Sequence, residues 1–101
     1  MCRVLIADDE PAVRKRLRTL IEWDNLGLKL LGEAEDGEEA MILARTLSPD
    51  LVITDIRMPV INGLELIKAL KKELPQVQII ILSGYSDFKY AKEALQYGVR
   101  H

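Results

Sequence analysis

Short aliphatic runs alternate along the chain with amphipathic stretches of helical period. Arg3-Val4-Leu5-Ile6-Ala7 is one such run, ended by Asp8-Asp9-Glu10-Pro11. Pro11 suits the first turn of a helix, where its missing N–H costs nothing. Val13, Leu17, Leu20 and Ile21 then recur at helical spacing and predict an inward stripe, with Arg14, Lys15, Arg16 and Arg18 mostly on the other faces. Asn25 and Gly27 break this helix, and Leu28 to Ala34 is a second, less continuous strand candidate. Asp36 and Glu39 stand at capping-box spacing, and the helix they open carries Ala40, Leu43, Ala44 and Leu47 on one stripe.

Ser48-Pro49-Asp50 stops that helix, and Leu51-Val52-Ile53-Thr54 runs into Asp55. Asn62-Gly63 opens a third helix with Leu66, Ile67, Leu70 and Leu74 inward, closed before Pro75. Gln78 to Leu82 is a fourth aliphatic run, followed by Ser83-Gly84. Asp87 is placed to cap a last helix with the stripe Phe88, Ala91, Ala94 and Leu95, ended by Gly98. The order βαβαβαβα, with continuous aliphatic strands, predicts an α/β doubly wound fold: a parallel sheet covered on both faces.

Composition narrows the setting. The 101 residues, 49% of them apolar, allow one domain. With 14 Lys+Arg against 16 Asp+Glu, no chain-wide cationic field exists to bind nucleic acid or an anionic membrane by charge alone. The lone Cys2 forms no internal disulfide and reads as a small apolar filler, as expected of a domain in a reducing cytoplasm. No apolar run approaches the roughly 20 residues needed to cross a bilayer, and the N-terminus has no signal-peptide layout. The expected location is cytoplasmic, with no membrane partner.

In sheets of this type ligands bind outside the carboxyl ends of the strands. Asp8-Asp9 follows the first run, Asp55 the third and Ser83 the fourth. If those strands are neighbours, three carboxylates and a hydroxyl converge on one rim. Crowded carboxylates must share a proton or hold a cation. An all-oxygen cluster suits a hard divalent ion, Mg²⁺ being usual where phosphate is the partner. The only imidazole is His101 and no Cys is near, which argues against zinc. Each residue also has a bland role: the Asp pair as a helix cap, Asp55 as a loop carboxylate, Ser83 as a turn residue. Their shared position at one end of three strands is what chance explains poorly.

Several motifs carry a resemblance. They are the strand ending in Asp8-Asp9-Glu10-Pro11, Glu33-Ala34-Glu35-Asp36-Gly37-Glu38-Glu39-Ala40, Pro49 through Asp55-Ile56-Arg57-Met58-Pro59, Asn62-Gly63 and Leu82-Ser83-Gly84. Together they resemble the receiver domain of bacterial two-component response regulators, over essentially the whole chain. Ser83 to Ala91, with Trp23 and Leu26-Gly27-Leu28, is similar to the subgroup whose receivers precede an AraC-type helix-turn-helix output.

The resemblance implies a flavodoxin-like (CheY-like) receiver fold. It also implies that Asp55 accepts a phosphoryl group from a sensor histidine kinase as an acyl phosphate. Asp9 would ligate Mg²⁺ directly, Asp8 through water, alongside Asp55 and the Arg57 backbone carbonyl. Ser83 would offer its hydroxyl to the phosphoryl oxygen as a switch, and Pro59 and Gly63 would shape the loop after the acceptor. DNA would be reached only through an output domain outside this chain.

The family places a lysine at the end of a fifth strand. Here the chain stops at Gly98-Val99-Arg100-His101, where that strand should begin, and Lys89 and Lys92 fall in the fourth helix. The expectation is a truncated receiver over residues 1–101, four of five βα units, lacking the fifth strand and helix. Such a chain predicts an exposed edge on the fourth strand and association or element exchange between copies. The runner-up function is a phosphorylation-incompetent interaction or dimerisation fragment. A flavin module fits less well, because Asp8-Asp9-Glu10 would repel a phosphate. A haloacid dehalogenase-type phosphatase wants a second Asp where Arg57 stands. The basic face of the first helix reads as solvated, and Trp23 as packing on the loop before the second strand.

Overall fold

The structure, a computed structural model, describes residues 2–55 and 63–82. Its elements run β1 (Cys2–Ala7), α1 (Pro11–Leu20), β2 (Leu28–Ala34), α2 (Gly37–Leu47), β3 (Leu51–Asp55), α3 (Gly63–Glu73) and β4 (Gln78–Leu82). All strand pairs are parallel, in the order β2-β1-β3-β4. The chain therefore winds outward from β1 in both directions, and β1, β3 and β4 are consecutive. The expected last helix (Asp87, Phe88, Ala91, Ala94, Leu95, Gly98) lies outside the described residues.

Strand alternation builds two cores. Leu5, Ala7, Ala34 and Val52 face α2 and α3, packing with Ala40, Met41, Ala44, Leu66, Leu70 and Val77. Val4, Ile6, Leu28, Leu51 and Ile53 form the opposite core with Leu17 and Ile21. Each fully buried aliphatic side chain contributes about 1.5–3 kcal/mol relative to exposure. Both sheet faces are thus covered, as the aliphatic strands predict. β2 and β4 are the edges among the described strands, and Ile81 of β4 is 38% exposed.

Local chemistry explains the helix ends. Asp36 caps α2 by accepting the Glu39 N–H at 2.8 Å. Glu39 Oε1 in return accepts the Glu35 N–H at 3.0 Å, one residue before the cap. Ser48 ends α2 in the left-handed region (φ 47°) with its N–H on the Ala44 carbonyl. Trp23 closes the loop before β2 as expected. Its carbonyl accepts the Leu28 N–H at 2.8 Å, and its indole N–H donates to the Arg18 carbonyl at 3.1 Å.

One stripe expectation needs correction. Leu20, expected inward, is 47% exposed, whereas Ile21 is buried. The helix ends at Leu20 and Ile21 turns extended (ψ 130°), so burial follows Val13, Leu17 and Ile21 along one line. On α2, Ala40 and Ala44 are buried and Leu43 packs against the same core, as expected, and Met41 joins them.

Candidate functional site

β1 and β3 are neighbours in register, Ala7 opposite Thr54, so the residues after each strand emerge side by side. Asp8 follows β1, Asp9 comes next, and Asp55 ends β3. One carboxylate oxygen from each lies within 4.8 Å of the others. Asp8 is buried, Asp9 exposed and Asp55 intermediate. Two carboxylates at that separation repel by on the order of 3 kcal/mol at an effective dielectric of about 20.

The Asp pair does not serve as a helix cap. Glu10 is the N-cap of α1 and makes no side-chain capping bond. Asp8 Oδ1 instead accepts the Glu10 N–H at 2.8 Å, bending the chain into the helix. That bond lowers the Asp8 pKa, but burial raises it more, and the charges of Asp55, Asp9 and Glu10 add to the rise. The result is about 6 against an ordinary 3.8. A positive ion among these oxygens would reverse that cost. The donor set, carboxylate oxygens only, fits a hard divalent cation such as Mg²⁺. Thr54, fully buried beside the site, directs its hydroxyl to the Asp55 carbonyl at 3.0 Å.

Three of the site residues expected from the sequence are therefore brought together. The other two, Arg57 and Ser83, lie outside the described residues, as do Met58, Pro59 and Gly84. Asp55 pairs with Leu82 of β4, the residue before Ser83. Sequence reasoning missed Arg14. Read as part of a solvated face, it donates from Nη1 to the Asp8 carbonyl at 2.6 Å. A signal existed: no acidic residue stands in the first turn of α1, and a cation there opposes the helix dipole.

The chain matches the family model for the response regulator receiver domain over residues 4–101. It is 46% identical over 101 residues to an uncharacterized transcriptional regulatory protein, YesN, of Bacillus subtilis, covering 100% of this chain and 27% of the relative. It is 41% identical over 99 residues to the transcriptional regulatory protein HptR of Staphylococcus aureus, covering 98% of this chain and 38% of that one. The chain thus spans well under half the length of these relatives. Among solved structures, the REC domain of AraT, a response regulator from Geobacillus stearothermophilus, superposes with a TM-score of 0.80 at 41% identity. The match covers 94% of this chain and 74% of that one. A two-component transcriptional regulator, AraC, from Clostridium phytofermentans gives 0.77 at 37% identity, covering 89% and 73%. No helix among the described residues is long and apolar enough to cross a membrane.

Proposed function

The chain belongs to the response regulator receiver domain family, and on that premise we propose that Asp55 accepts a phosphoryl group from a sensor histidine kinase. The observation that carries this reading is the convergence of Asp8, Asp9 and Asp55 within 4.8 Å at adjoining strand ends. In the transfer, the P–N bond of a phosphohistidine breaks and a P–O bond forms at an Asp55 carboxylate oxygen. The products are an acyl phosphate here and, on the kinase, an imidazole whose released nitrogen keeps the bonding pair and takes up a proton from solvent.

Asp8, Asp9, Asp55 and the Arg57 backbone carbonyl would hold Mg²⁺. When bound, the ion supplies positive charge against the spreading charge of the phosphoryl oxygens. Asp55 sits at the end of a strand paired on both sides, so its carboxylate is presented from a rigid element. The Ser83 hydroxyl is the proposed switch, moving toward the phosphoryl oxygen and passing the change to an output segment. The similarity to transcriptional regulatory proteins supports an output in transcription, carried by a segment other than this domain. The domain's own chemistry is confined to taking up and losing its phosphoryl group. The family match and the carboxylate geometry favour this reading over a bare interaction fragment. Association along β4, where Ile81 is exposed, is checked by sedimentation at several concentrations.

Incubation with a small acyl phosphate and Mg²⁺, followed by intact mass, tests the proposal. A phosphate-sized, hydroxylamine-sensitive adduct is expected in the wild-type chain and none in Asp55→Asn. An equal adduct in Asp55→Asn contradicts it.

A further inference from the structure

The Asp8–Asp9 turn is held from outside its own segment. The Asp8 N–H donates to the Ala34 carbonyl at 3.0 Å, and Arg14 Nη1 donates to the Asp8 carbonyl at 2.6 Å. That carbonyl belongs to the planar peptide unit joining Asp8 to Asp9, so the Arg14 bond orients the plane from which Asp9 departs. Arg14 is itself braced by β2. Its Nε lies 3.5 Å from Glu33 Oε1, while Arg18 Nη1 holds the other oxygen, Oε2, at 2.7 Å. The Arg14 and Glu33 side chains are only 16% and 21% exposed, so solvent screens them less than an open surface pair.

We infer that Arg14, braced by Glu33, is a positioning residue for the acidic cluster. It sets the Asp8–Asp9 peptide so that the Asp9 carboxylate stands beside those of Asp8 and Asp55. The inference rests on the reading of that cluster as a Mg²⁺ site. Two consequences of removing Arg14 oppose each other. Losing a positive charge near a cation site tightens cation binding, whereas losing the orientation of a ligand weakens it. Glu33, shared with Arg18, offsets part of the Arg14 charge, and the loss of orientation dominates. Groups that orient metal ligands typically account for about 10- to 100-fold in affinity.

The test is calorimetric titration of the chain with MgCl₂, together with ¹⁵N relaxation of the Asp9 N–H without metal. Arg14→Ala is expected to weaken Mg²⁺ binding about tenfold. It should also lower the Asp9 order parameter from about 0.85 toward about 0.6. Unchanged or tighter binding, or an unchanged order parameter, overturns the inference. If the wild-type chain takes up no Mg²⁺, the metal-site reading fails, and the order parameter alone decides the role of Arg14. If Arg14→Ala does not fold, Glu33→Gln removes the brace while keeping Arg14. Its Asp9 order parameter is then expected to fall in the same direction, and no change overturns the inference.

Discussion

At the N-terminal end of the sheet, Asp50 ties three strands together. Its carboxylate accepts the Arg3 N–H at 2.8 Å, its N–H donates to the Arg3 carbonyl, and its carbonyl accepts the Gln78 N–H at 2.9 Å. At the opposite end, Asp8 is buried among like charges that, with burial itself, raise its pKa to about 6. The same side chain is thus a fastening at one rim and a source of instability at the other. Asp36 adds a control. It follows β2 at the same rim as Asp8, yet it caps a helix and accepts an N–H at 2.8 Å. Position at the carboxyl ends of the strands therefore does not by itself make a strained site. What does is the adjacency of β1 and β3, which brings three carboxylates together.

The sharpest way to break this contrast is to neutralise Asp8. The rise from 3.8 to about 6 corresponds to about 3 kcal/mol. Because the folded state binds this proton more tightly than the unfolded one, Asp8 costs stability above pH 6. That cost is relieved as pH falls from about 6 to 3.8. Asp8→Asn keeps the oxygen that accepts the Glu10 N–H. It is expected to raise stability at pH 7 by up to about 3 kcal/mol in urea unfolding. The gain should shrink through pH 6 and vanish near pH 4, and a destabilised variant at pH 7 would contradict it. Asp50→Ala should act in the opposite sense, lowering stability by about 1–2 kcal/mol through loss of a charge-assisted bond to Arg3. A smaller loss, about 1 kcal/mol, is expected for the cap deletion Asp36→Ala. It should leave Mg²⁺ titration unchanged, whereas Asp8→Asn should not.

β1, β3 and β4 are legible as nearly unbroken aliphatic runs, and α1 to α3 as helical stripes between turn residues, whereas β2, interrupted by Lys29 and Gly32, is less so. Asp8, Asp9 and Asp55 were legible as rim residues because they end such runs. Their convergence was conditional on strand order, which no local pattern carries; the observed order β2-β1-β3-β4 supplies it. Leu20 is exposed because the buried line runs through Val13, Leu17 and Ile21, and Leu20, still helical, stands one position off it. Arg14 escaped notice for another reason. Its bond to the Asp8 carbonyl depends on how α1 lies over β2, where Glu33 waits. A list of charges on a helix face does not contain that information.

The central claim is that, of the aspartates on this sheet, Asp55 alone forms the phosphoryl bond. Borohydride reduces an aspartyl phosphate to homoserine and so marks the acceptor permanently. After treatment with a small acyl phosphate and Mg²⁺, borohydride reduction and peptide mass spectrometry should find homoserine at position 55. Positions 8, 9, 36 and 50 should remain aspartate. Homoserine at one of those four, with Asp55 unmodified, would contradict the account.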